Sequence, residues 1–122
     1  MSLLRIADSF YVGVSDLSGA VSWYKSKLGL QEVPLPPMDD QTGDMIAMAF
    51  SKKDGATIVL GPVGKSADEN TRMLYAPKIK KAHETLSSRG VNAGAIEQDA
   101  QGTHYFRIRD VEGNEVEVSE EP

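Results

Sequence analysis

Apolar residues recur along this chain at two spacings, and the switch between them divides it into two similar halves. Leu17, Ala20, Val21, Tyr24 and Leu28 stand at i, i+3, i+4, i+7 and i+11, the spacing of one apolar helical face. Gly29 follows where a left-handed residue would close that helix. Ile79, Ala82, His83 and Leu86 repeat the design, with Gly90 as the stop, and Pro77 suits a first helical turn. Before each helix the period drops to two. "DSFYVGV" alternates Phe10, Val12 and Val14 against Ser9, Tyr11 and Gly13, and "TRMLYA" precedes the second helix at the same distance. After the first helix come "DMIAMAF" and "ATIVLG" around the turn "SKKDG"; after the second come "HYFRIR" and "NEVEV" around "DVEGN".

Each half therefore reads strand, helix, then strands, offset by about 60 residues. One helix covers only one face of such a sheet, so two βαβββ units must combine to enclose a cleft. The expected fold is α+β: two βαβββ modules in one domain spanning 1–122, with curved mixed sheets forming a cleft and helices outside. Module one is expected at about 3–61, a linker at about 61–70 and module two at about 71–120. "PLPPMDDQTG" (34–43) lacks periodicity and reads as a loop, a candidate lid beside a binding site. "GPVGKSADEN" (61–70) reads as a polar crossover, long enough to exchange halves between subunits.

Composition narrows the function classes. A chain of 122 residues has room for one core. No apolar run approaches the roughly 20 residues that span a bilayer, so no membrane partner is expected. With no cysteine, thiolate nucleophiles, disulfides and cysteine-held metal centres are excluded. A net charge of -5 without a Lys/Arg cluster argues against nucleic acid, whose binding draws on counterion release by basic side chains. "KIKK" at 78–81 is the densest basic stretch and reads as a solvated helix face. The N-terminal residues carry no export pattern, so a cytoplasmic location is expected.

Three stretches together resemble one family. "VSDLSGAVSWYKSKLGL", "IKKAHETLSSRGV" and "RDVEGNEVEV" occur in the order and spacing of the vicinal oxygen chelate superfamily, which contains glyoxalase I, bleomycin-resistance proteins and extradiol dioxygenases. The resemblance covers nearly the whole chain and implies the paired βαβββ fold. It also implies four metal-ligand positions in metal-dependent members, one on the first and one on the last strand of each half. Carried over residue by residue, these fall on Ser9, Val59, Thr71 and Glu117. Only Glu117 is a ligand type, and transition-metal sites need three or four N, O or S ligands in fixed geometry. The family's metal is therefore not expected here.

Strand parity supplies a candidate cleft lining. With Phe10, Val12, Val14 and Leu74 against the helices, Ser9, Tyr11, Thr71, Met73 and Tyr75 face the cavity, joined by Val59 and Glu117. Tyr11 and Tyr75 could equally be packing residues. Trp23 and Tyr24 read as helix-to-sheet packing. His83 reads as a packing or surface residue. His104 reads either as a solvent-facing strand-end residue or as a hydrogen-bonding group or general base in the cleft. This mixed apolar and hydroxyl lining suits a small, partly aromatic or amphipathic organic ligand. The leading expectation is a metal-free homodimer that binds a small molecule, similar to bleomycin-resistance proteins. The alternative is a lyase, isomerase or dioxygenase with an atypical metal site built on Glu117, with His104 as a second candidate and Glu117 as the catalytic residue, in a chemistry where a carboxylate shuttles protons. A third reading is an interaction module with no ligand.

Overall fold

Both helical stripes become buried helix faces. The computed structural model describes residues 3–35, 44–53, 55–63 and 72–121. Helix α1 (Leu17–Trp23) is capped by Asp16, whose carboxylate accepts the Gly19 N–H, and it runs on into a π-helical turn at Tyr24–Leu28. Ala20, Val21, Tyr24 and Leu28 are buried as the spacing predicts, and Gly29 ends the segment in the left-handed region at φ 82°. Helix α2 (Ile79–Ser88) buries Ile79, Ala82 and Leu86. Its cap is Lys78, in extended conformation, so Pro77 lies one residue before the cap and not in the first turn. His83 takes the packing role: its ring meets that of Phe106 edge-on at 4.8 Å, and Nε2 lies 2.8 Å from the Gly94 carbonyl oxygen.

The strands are β1 (Arg5–Ile6), β2 (Phe10–Gly13), β3 (Gln31–Val33), β4 (Ile46–Ala49), β5 (Ile58–Gly61), β6 (Met73–Ala76), β7 (Asn92–Ala93), β8 (Glu97–Gln98), β9 (His104–Arg109) and β10 (Glu115–Glu120). One sheet has the order β2-β5-β4-β3, and the other contains β6-β10-β9-β7. The two orders are the same when each half is numbered from its own first strand and the short β8, which pairs with β9, is set aside. In both, the first strand lies parallel to the last and the remaining pairs are antiparallel. Strands β3 and β7, of three and two residues, are too short to show alternation in the sequence. Strand β8 adds to β9, and β1 adds to β6 with Arg5 opposite Tyr75. Residues 5–6 therefore edge the second sheet, although they fall within the first module as drawn from the sequence.

Alternation decides which side chains enter the core. Phe10, Val12, Met48, Ile58 and Leu60 of the first sheet and Leu74, Ala76, Phe106, Ile108, Val116 and Val118 of the second are all buried in one cluster with the helix residues. Polar contacts tie the halves together at both ends of the helices. The Tyr24 hydroxyl donates to Asp110 Oδ2 at 2.7 Å, and Glu112 accepts from the backbone N–H of Ser15 and of Asp16. Arg89 donates to the Lys27 carbonyl oxygen while Lys27 Nζ donates to that of Arg89. The stretch 110–114 thus closes a turn and clamps the start of α1, with Asn114 Nδ2 donating to the Gly13 carbonyl oxygen.

Candidate functional site

The faces that the helices leave bare differ in chemistry. On the first sheet, register places Tyr11 beside Val59, Gly13 beside Gly61 and Ala47 beside Val59. Ala47 and Val59 are 1% and 5% exposed, so this face offers little open apolar surface. Tyr11 lies across Gly61 and donates its hydroxyl to the Pro62 carbonyl oxygen at 2.6 Å; burial raises its phenol above the ordinary range. A methyl group on Gly61 would stand 2.5 Å from that hydroxyl oxygen, so only glycine admits this position of the ring.

The second sheet's bare face is polar and charged. Met73 and Tyr75 alternate with buried Leu74 and Ala76, and Glu117 and Ser119 lie beside them in register on β10. Across the next pairing come Arg107 opposite Glu117 and Tyr105 opposite Ser119. Arg107 reaches Glu117 at 3.9 Å and Glu115 at 3.6 Å, Arg109 reaches Glu115 at 3.3 Å, and the Arg107 guanidinium lies 5.3 Å from the Tyr105 ring centroid. Arg5 extends this face from β1, with its guanidinium 4.9 Å from the Tyr75 ring centroid.

Parity accounts for most of the expected lining residues. Met73, Tyr75 and Glu117 stand on the second sheet's bare face, while Tyr11 and the buried Val59 share the corresponding face of the first sheet. Ser9 precedes β2, and its hydroxyl accepts the Thr57 N–H at 2.9 Å. Thr71 lies outside the described residues, as do 36–43 of the candidate lid and 64–70 of the crossover. His104 takes the strand-end position of its two readings. It shares the parity of buried Phe106 and Ile108, which turns it away from Tyr105 and Arg107, and its Nδ1 lies 2.7 Å from Glu120 Oε1. The same alternation in "HYFRIR" marks Tyr105, Arg107 and Arg109 as bare-face residues, a signal the sequence carried and the expected lining omitted.

The described residues do not fit the family's metal. Val59 carries no donor atom, the Ser9 hydroxyl is engaged by backbone, and Glu117 faces a guanidinium. Among the described residues no three His, Asp or Glu side chains gather into a possible metal site. One carboxylate does not supply the three or four donors in fixed geometry that such a site needs.

Two cavities open beside β1 and β6. One, of about 430 Å³, lies between Arg5–Ser9 and Gly55–Ala56. The other, of about 370 Å³, is lined by Met73, Tyr75, Ser119, Glu120, Glu121 and the loop 101–103. Both lie within the size range of sites for small organic ligands. No helix among the described residues is long and apolar enough to cross a membrane.

Comparison with known proteins agrees with this architecture. None of the curated proteins matches the chain. A member of the glyoxalase/bleomycin resistance protein/dioxygenase superfamily from Sphaerobacter thermophilus superposes with a TM-score of 0.74 at 22% identity, covering 93% of this chain and 95% of that one. TnmS3, an antibiotic binding protein from Streptomyces sp. CB03234, gives 0.72 at 19% identity and 94% coverage of both chains. Lactoylglutathione lyase from Agrobacterium tumefaciens gives 0.63 at 21% identity, covering 93% of this chain and 91% of that one. Such identities carry the fold alone. The family model described as Glyoxalase/Bleomycin resistance protein/Dioxygenase superfamily matches residues 5–118, and with the repeated βαβββ topology this places the chain in that superfamily.

Proposed function

We propose that this protein binds a small organic molecule on the bare face of its second sheet, without the metal used by metal-dependent members of the superfamily. The observation that carries the reading is the 370 Å³ cavity over β6 and β10, where Met73 and Tyr75 offer contact area. Arg107 beside Glu117 supports the metal-free part, because the remaining ligand-type residue is already balanced by a cation. The antibiotic binding neighbour shows that this fold can serve as a binding protein, which supports the reading by analogy of fold. A homodimer, with a second copy contributing to the cover of a bare face, belongs to the same proposal and is read from sedimentation velocity.

The test is metal analysis together with a thermal-shift screen of metals and of cationic, neutral and anionic aromatic compounds. A ligand that binds only the folded state raises its stability by about 2.7 kcal/mol at a hundredfold excess over Kd. The expected result is a melting temperature unchanged by EDTA and raised by organic compounds, an effect lost in Tyr75→Ala. Stoichiometric transition metal that disappears in Glu117→Gln, or an isomerase, lyase or ring-cleaving activity lost on chelation, would replace this reading with the metalloenzyme one.

A further inference from the structure

Two residues that line the 370 Å³ cavity, Tyr75 and Glu121, hold one of the chain's own cationic side chains at its edge. Among the described residues the cavity's lining includes the carboxylates of Glu120 and Glu121 and no lysine or arginine. Glu120 is committed to His104, accepting its backbone N–H and lying 2.7 Å from its ring Nδ1. Glu121 is engaged differently: its carboxylate accepts from Arg5 Nε at 2.5 Å, and the same guanidinium stands 4.9 Å from the Tyr75 ring centroid. An aromatic face and a carboxylate converging on one planar cation make a guanidinium seat. Arg5 reaches it from β1, where register sets it opposite Tyr75, and it also lines the neighbouring 430 Å³ cavity.

Taking the binding reading above as its basis, we propose that Tyr75 and Glu121 form a subsite for a planar organic cation, an amidinium or guanidinium on an aromatic body, and that Arg5 holds this subsite as an intramolecular competitor. The Arg5 side chain is 54% exposed and that of Glu121 35%, so the pair is solvated and exchangeable. A ligand cation that takes the seat turns Arg5 out toward water and keeps both the ring contact and the ion pair. Met73, two residues before Tyr75 on the same face, then lies beside the ligand's aromatic body. Because the seat is free only for the fraction of time that Arg5 is displaced, the apparent affinity of the wild type is reduced by that fraction.

The test compares benzamidine, benzamide and benzoate by isothermal titration calorimetry against wild type, Arg5→Ala, Arg5→Gln and Glu121→Gln, with circular dichroism confirming the fold of each. Benzamidine is expected to bind Arg5→Ala and Arg5→Gln about tenfold more tightly than wild type, and Glu121→Gln more weakly than either. Benzamide and benzoate should show no such gain. Equal benzamidine affinity in wild type and both Arg5 variants overturns the competitor, and an equal gain for all three probes assigns the effect to opened volume, which overturns the cation seat. If compounds bind the wild type in a Tyr75-dependent way with no preference for cations, the subsite falls while the binding reading stands. If no compound of any charge binds any variant, both fall.

Discussion

Replacing Tyr24 by Phe removes one oxygen from the centre of the molecule, and the structure sets the cost. Tyr24 is fully buried and Asp110 is 7% exposed, with 2.7 Å between hydroxyl and carboxylate. Asp110 also accepts the backbone N–H groups of Glu112 and Asn114 and the side-chain amide of Asn114. A hydrogen bond to a charged acceptor contributes about 1.5–3 kcal/mol, and the three donors that remain soften the loss, so Tyr24→Phe should cost about 1–2 kcal/mol. For a domain of this size that lowers Tm by about 4–10 °C. Urea unfolding followed by Trp23 fluorescence is a suitable assay, because the Trp23 ring meets Tyr24 edge-on at 5.0 Å. In an Asp110→Asn background the same substitution should cost much less, since the two changes remove one shared contact. Burial, and then the Asp110 carboxylate, raise the Tyr24 phenol well above its ordinary value. The folded state thus holds this proton more tightly than the unfolded chain; the resulting stability is fully present below about pH 10 and is lost as pH rises beyond it. Tyr24→Phe should accordingly show a shallower alkaline loss than wild type. Wild-type stability in Tyr24→Phe, or costs that simply add in the double variant, would refute the reasoning.

Two other positions give independent tests. Hydrogen bonds from the N–H groups of Ser15 and Asp16 lower the Glu112 carboxyl, so its contribution is present above the ordinary glutamate range and is lost as pH falls through its lowered folded value. Glu112→Gln should therefore be less stable than wild type at neutral pH by a small, solvent-screened margin that closes as pH falls below the ordinary glutamate range, and a constant gap across that titration in urea would contradict this. Gly61→Ala brings a methyl group within 2.5 Å of the Tyr11 hydroxyl oxygen and 2.9 Å of Met45 Cγ, which should cost about 1–3 kcal/mol. Adding Tyr11→Phe removes the nearest atom and should recover part of that loss in thermal unfolding; no recovery would show that the strain lies elsewhere.

The readability of each element follows from its length and burial. The helix stripes and longer strands show their period because one face meets the core over several residues, as Ile79, Ala82 and Leu86 do in α2. Strands β3 and β7 hold too few residues for a period to emerge, and β1 joins the second sheet through backbone pairing that leaves no compositional mark. Among candidate site residues, parity placed Met73, Tyr75 and Glu117 on one bare face because their neighbours Leu74, Val116 and Val118 are unambiguously apolar. Of the two readings open for His104, the parity it shares with Phe106 and Ile108 fits the strand-end one.

By itself the sequence determined the duplicated βαβββ plan and the buried faces, which are local properties of period and residue type; the poverty of metal ligands is read at positions that the family resemblance implies. Tertiary structure alone decided which side chains meet across strands and between halves. Arg107 faces Glu117 through strand register, Arg5 reaches Tyr75 and Glu121 across a sheet edge, and Glu112 closes on Ser15 and Asp16 from the other half. Partners as far apart in the chain as Arg5 and Glu121 are set by sheet order and register, which sum many weak preferences over the whole fold and appear in no single stretch of sequence.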